Sequence, residues 1–197
     1  MEKRKVQGVG INDADYKVAL SKTVQGKSKQ YWVCPYYRRW KDMLKRCYSK
    51  TFHKSRPTYT DVVVCKEWQT FSNFREWMVR QDWEGKQLDK DIFGDGKVYN
   101  PESCIFISLS LNVFVEWTTS KRSLPRGVCW CKDKLKYKSY GRENGKTKYL
   151  GQSADISECQ LMWRDHKISL INKMLMEIQD NNEIKAINKY KTSLLED

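Results

Sequence analysis

Apolar positions recur along the chain at two periods. Trp40, Met43, Leu44 and Cys47 fall at i, i+3, i+4 and i+7, the spacing of one buried helix face. A helix is predicted to open at Pro35 and run over YYRRWKDMLKRCY. Trp68, Phe71, Phe74, Trp77 and Met78 repeat the helical spacing, and aromatics so placed read as core. Tyr16, Val18 and Leu20 alternate with other residues, which predicts a strand, and Val62 to Val64 form a short buried strand. Thr51 to Thr60, with Pro57, reads as a loop. Leu88 to Asn112, LDKDIFGDGKVYNPESCIFISLSLN, reads as two short strands running into a helix that ends near Thr118.

Ser120 to Arg126, SKRSLPR, is polar, basic and broken by Pro125, the signature of a linker. Beyond it RGVCWC, KYKSYGR and KTKYLGQ are three strand-like segments, with Asp133 and Glu143-Asn144-Gly145 in the turns. Asn-Gly is a strong hairpin signal. Asp155 to Gln179 turns helical through Cys159, Met162, Trp163, His166, Leu170 and Ile171, with Asp155 or Ser157 as cap. The expected fold is α+β: a unit over residues 1–119 with an N-terminal extension, a linker over 120–126, a three-stranded antiparallel sheet plus helix over 127–180, and a charged tail over 181–197.

Charge narrows the function. Lys+Arg number 37 against 24 Asp+Glu, a formal net +13. Such an excess favours a polyanion, with nucleic acid first. No apolar run approaches the roughly 18 residues that span a membrane. The start, MEKRKVQGVG, has no apolar stretch behind it, unlike a signal peptide. The expectation is an intracellular, soluble protein with no membrane partner. The seven cysteines are irregularly spaced and form no C-x-x-C, so a zinc knuckle has little support. Reduced thiols are the simpler account.

The charge concentrates at the rear. From Ser120 to Leu150 there are ten basic residues against Asp133 and Glu143, a net +8. They alternate with Val128, Trp130, Leu135, Tyr137, Tyr140 and Tyr149. Alternation gives a sheet two unlike faces, one for the following helix and one, basic, for a groove. The expected DNA-binding set is Arg126, Trp130, Lys134, Lys136, Lys138, Arg142, Lys146 and Lys148. Arg126, Trp130 and Arg142 are the candidates for base or sugar contacts, and the lysines for salt-sensitive phosphate contacts.

Two resemblances give this outline a chemistry. Asp89-Lys90 near the end of a first strand, Ser103 ahead of Cys104, and Asn112 nine residues later in a helix resemble the metal-dependent HNH nuclease motif. That family has Asp-His, a middle Asn, and His or Asn at these three places. The surrounding W-x-x-M-L-x-R-C-Y at Trp40 to Tyr48, P-T-Y at Pro57, V-C-x-E-W-x-x-F-x-x-F at Val64 to Phe74, and Y-N-P-E-S-C resemble bacteriophage HNH-type, homing-like proteins. The resemblance implies a ββα-metal unit in which Asp89 and Asn112 hold Mg²⁺ or another divalent ion, and duplex DNA is cut. The catalytic set is then Asp89, Lys90 and Asn112. Lys90 and Ser103 depart from the family pattern. An ammonium has no lone pair for a proton, so Lys90 acts as base only where a metal or burial favours its neutral form; otherwise it contacts phosphate. His53, in the predicted loop, is the histidine that would fold in from a distance, and His166 is expected to be structural.

Arg126-Gly127-Val128, Lys136-Tyr137, Leu150-Gly151 and the helix through Trp163 resemble an AP2-type DNA-binding domain, whose sheet enters the major groove. Together the resemblances imply a phage endonuclease acting in the cytoplasm of an infected bacterial host. The alternative is a sequence-specific DNA-binding protein or repressor on a nuclease scaffold that has lost its base. A palindromic target would require a homodimer, and nothing in the chain demands one.

Overall fold

The computed structural model describes residues 5–115 and 123–196. The fold is α+β and divides into two compact units, Met1–Asn112 and Val113–Asp197.

In the first unit the chain opens with an antiparallel hairpin of β1 (Ala19–Val24) and β2 (Lys27–Val33). The strand expected around Tyr16 to Leu20 is thus displaced and doubled. Gln25 and Gly26 both adopt positive φ, 49° and 72°, which a two-residue hairpin turn requires. Helix α1 (Pro35–Tyr48) has Pro at its first position and buries Trp40, Met43, Leu44 and Cys47. Trp40 donates from Nε1 to the Trp68 carbonyl at 2.7 Å. The loop expected over Thr51 to Thr60 is partly helical: α2 (Lys50–Ser55) starts where Ser49 accepts from the Phe52 amide at 3.3 Å, and a 3₁₀ turn follows over Pro57–Tyr59. A side-chain cap at Ser49 converts polar sequence into a short helix.

Strand β3 (Val63–Val64) leads to α3 (Phe71–Val79), which buries Phe71, Phe74 and Met78 beside Trp68. Then come β4 (Gln87–Asp89), β5 (Val98–Tyr99) and β6 (Ile105–Ile107). β4 pairs antiparallel with β6, Asp89 opposite Ile105, and β5 pairs parallel with β3. The β4–β6 pair delivers the chain into α4 (Leu109–Val115), where Ser108 accepts from the Leu111 amide at 3.3 Å. The sequence predicts two short strands and a helix here; the structure has three strands, because β5 intervenes and pairs with β3, leaving β4 and β6 as the pair that leads into the helix. The helix is described to Val115; its expected continuation to Thr118, and Ser120 to Arg122 of the expected linker, lie outside the described residues.

The second unit is a three-stranded antiparallel sheet of β7 (Val128–Cys131), β8 (Lys136–Glu143) and β9 (Lys146–Ser153), in that order, covered by α5 (Ile156–Glu177). Asn144 and Gly145 make the β8–β9 turn with φ of 51° and 75°. Asp155 caps α5, its Oδ1 accepting from the Ser157 amide at 2.8 Å. The helix lies close because the sheet offers it glycines. A Cβ built on Gly127, Gly141 or Gly151 would fall on Trp163, His166 or Met162. Residues expected to form a fraying charged tail instead make α6 (Asn181–Glu196). Glu183, Ala186, Ile187, Tyr190 and Leu194 are buried along it, at helical spacing that the surrounding charges obscure. Phe114 belongs to this unit: Lys167 donates to its carbonyl at 2.8 Å and sits 3.7 Å from its ring centroid. Among the described residues no helix is long and apolar enough to cross a membrane.

Candidate functional site

Asp89 ends β4, and its position is set by the chain just after it. Its Oδ1 accepts from the amides of Asp91 at 2.9 Å and Ile92 at 3.0 Å, so the carboxylate organises the bend that leaves the strand. Asp89 is 6% exposed. Burial pushes its pKa above the ordinary carboxylate value, and the two amides offset part of that.

Lys90 is 5% exposed. Its Nζ donates to Asp91 Oδ1 at 2.6 Å and lies 5.3 Å from the Tyr59 ring centroid and 5.7 Å from that of Tyr99. A cation held between ring faces and one carboxylate is fixed in place. Gly96 permits this: at φ of 73° it leaves no Cβ where one would fall 2.5 Å from Asp91 Oδ1.

These groups open onto one cleft of about 440 Å³ that includes Asp89, Lys90, Asp91 and Asn112, with Arg46 and Arg56 on its wall. The structure therefore brings the three catalytic candidates, Asp89, Lys90 and Asn112, to one place. It adds what the sequence reading lacked there: Arg46 from the end of α1, Arg56 after α2, and Tyr59. Arg46 donates to the Tyr99 hydroxyl at 3.4 Å. Arg46 was legible only as part of a basic helix face; its turn toward the cleft depends on β5 supplying Tyr99. Ser103, which the HNH resemblance sets against a middle Asn, is buried and spends its hydroxyl on Asn100 Oδ1 at 2.7 Å. His53 does not fold in as a base. Its Nε2 bonds the Arg46 carbonyl at 2.9 Å, joining α2 to the end of α1. His166 packs against Gly141 in the second unit, as expected of a structural residue.

Oxygen donors suit hard divalent cations, and Mg²⁺ is commonly held by one or two carboxylates plus substrate oxygens. Asp89, Asp91 and Asn112 fit that donor chemistry. Among the described residues no three His, Cys, Asp or Glu side chains converge, so an ion here would share its shell with substrate and water.

The sheet of the second unit carries the other candidates, and its register separates them. Val128 pairs with Ser139, and Ser139 with Gly151. Val128 and Ser139 are buried, and Gly151 would meet Met162 of α5, so this side faces the helix. Alternation then puts Lys136, Lys138, Tyr140 and Arg142 of β8 on the opposite face, together with Tyr149 of β9. That outer face has no carboxylate. On it Lys138 bonds the Cys131 thiol, lowering that thiol's pKa. Three members of the expected DNA-binding set fall elsewhere. Trp130 shares the side of Val128 and stacks edge-on to Tyr137, with ring centroids 4.7 Å apart. Lys146 and Lys148 lie on the helix side by the same alternation. Lys148 is 3.0 Å from Glu143, which also takes Lys173 of α5 at 3.2 Å. For the two lysines the physical reason is a bulge at Leu150, where β9 gains one residue between Tyr149 and Gly151 and so reverses the facing of the residues before it relative to strict alternation. Lys134 lies in the exposed 3₁₀ turn over Lys132–Lys134, and Arg126 is half-buried just before β7.

No protein-family model, curated protein or solved structure matches the chain.

Proposed function

We propose that the chain is a DNA-binding protein and a metal-dependent HNH-type endonuclease of the phage, homing-like kind, acting on duplex DNA in an infected bacterial cell. The observation that carries this reading is the β4–β6–α4 arrangement, which places Asp89, Lys90 and Asn112 on one cleft walled by Arg46 and Arg56. The arginines supply fixed positive charge for a phosphodiester. Asp89 and Asn112 would hold Mg²⁺. When bound, that ion supplies stabilisation of charge on the phosphate and the leaving oxygen. Lys90, locked by Asp91 and two rings, orients the phosphate as a cation, and would take the proton of the attacking water only from its neutral form. The second unit, an AP2-like sheet on a helix in this reading, would select the site with its outer face in a groove. Purified protein incubated with supercoiled DNA is expected to nick it in Mg²⁺ and not in EDTA; intact plasmid in both would reject cleavage.

The Lys90–Asp91 ion pair favours a second reading, a DNA-binding regulator on the same scaffold. The two diverge at one substitution. If the native site cuts with lysine, Lys90→His leaves nicking level or lowers it. A rise of tenfold or more, measured on the same plasmid, would make the native protein a binder.

Register makes a further distinction testable. Arg142→Ala is expected to cost about 1–3 kcal/mol on a specific duplex. Lys148→Gln, which removes a cation already neutralised by Glu143, is expected to change affinity less than about twofold. Equal losses in a fluorescence titration would refute the two-face assignment.

A further inference from the structure

The β1–β2 hairpin contributes no buried residue to the core. Nearly all its residues are exposed, with Val24 at 41%, Tyr31 at 61% and Trp32 at 40%. An isolated two-stranded hairpin is marginal in water, and this one is built against itself. Lys22 lies directly opposite Lys29, and Val24 opposite Lys27. Like charges facing each other across a strand pair are destabilising. From Tyr16 to Lys41 the sequence contains no Asp or Glu. Among the described residues no carboxylate pairs with Lys22, Lys27 or Lys29.

The register also sorts its faces. Leu20 and Lys22 are two apart on β1, and their partners are Trp32 and Lys29. The extra residue between them on β2 is Tyr31, a bulge that carries Trp32 round to the lysine side. One face therefore gathers Lys22, Lys27, Lys29, Val24 and Trp32, with the half-buried Leu20 at its base. The other is polar along its exposed length, with Ser21, Thr23, Ser28 and Gln30, and has the half-buried pair Ala19 and Val33 at its base. The left-handed Gln25-Gly26 turn holds this register. A ribbon of two strands is one of the two elements that the major groove of duplex DNA admits. A polyanion would remove the Lys22–Lys29 repulsion, and a sugar edge would cover Trp32. A bilayer suits the ribbon less, because its apolar residues are few and its reverse face is polar.

We propose that the β1–β2 hairpin is a DNA-contacting ribbon, separate from the cleft and the C-terminal sheet, with Lys22, Lys27 and Lys29 against phosphates and Trp32 against the sugar edge. This rests on the DNA-binding reading above. The test uses the full chain and a variant carrying Lys22→Gln, Lys27→Gln and Lys29→Gln, titrated onto fluorescent duplex DNA over a range of salt. Each phosphate contact contributes about 0.9 to the slope of log affinity against log salt. The variant is expected to lose roughly three units of slope and at least about tenfold in affinity at low salt. Its melting temperature should hold or rise, since a repulsion is removed. A second variant, Trp32→Ala, should weaken binding with the salt slope unchanged. A wild type that binds duplex with a variant of equal affinity and slope overturns the ribbon alone. A wild type that binds no duplex overturns the DNA reading and the ribbon together. A variant that loses only binding to single-stranded RNA or to anionic vesicles overturns the ribbon as a duplex reader.

Discussion

Asp89→Asn should abolish metal-dependent nicking while leaving the fold as stable as wild type or slightly more so. The two effects have different origins. Asn keeps a carbonyl oxygen for the Asp91 and Ile92 amides at 2.9 and 3.0 Å, so the bend after β4 survives. It removes the negative charge that would hold a divalent ion. Losing several kcal/mol of charge stabilisation at 1.36 kcal/mol per decade puts the fall in rate at roughly a hundredfold or more. The stability side follows from the raised pKa of Asp89, whose first cause is burial. A carboxyl raised in the folded state adds stability that is complete below its unfolded pKa and is lost as pH rises through the folded value. At neutral pH the buried charge is therefore a cost, which Asn lacks. Melting curves of the two proteins should converge as pH falls through that window and separate above it, with Asn the higher. Asp89→Ala differs: it strands two amides and should lose about 1–3 kcal/mol. Nicking by Asp89→Asn at the wild-type rate would remove Asp89 from the catalytic set.

Gly127→Ala is expected to have the largest effect on stability. Gly127 has φ of 72°, and a Cβ there would fall 2.0 Å from Trp163 Cδ1 and 2.6 Å from the Tyr140 carbonyl oxygen. The left-handed backbone costs an L-residue about 1–2 kcal/mol. Overpacking against a ring and a carbonyl adds about 1–3 kcal/mol. For a unit of this size the sum lowers the melting temperature by on the order of 10–40 °C. Gly145→Ala is the matched control, since φ is 75° there but nothing lies within 4 Å. It should show only the backbone part, about 1–2 kcal/mol. If calorimetry gives Gly127→Ala and Gly145→Ala the same melting point, the close approach of α5 to the sheet is wrong.

Elements whose physics is local or periodic are legible in the residues alone. The stripe Trp40, Met43, Leu44 and Cys47 places α1 because its 3.6-residue period admits only one buried face, and Pro35 marks its first turn. Asn144-Gly145 locates the β8–β9 turn because few other pairs adopt two positive φ angles cheaply. The segment from Leu88 to Asn112 shows strands running into a helix, and with them Asp89, Lys90 and Asn112, although the extra strand β5 is defined only by its pairing with the distant β3. Features that depend on partners distant in the chain are settled by packing. Arg46, Arg56 and Tyr59 reach the cleft of Asp89 because α1, α2 and β5 converge there, and no local signal carries that convergence. α6 was hidden because its buried stripe is interleaved with charges, and burial is a property of what packs against it. The facing of Trp130, Lys146 and Lys148 turned on register and on one bulged residue. Strict alternation read from sequence cannot anticipate a bulge, because the extra residue is defined only by the strand it is paired with.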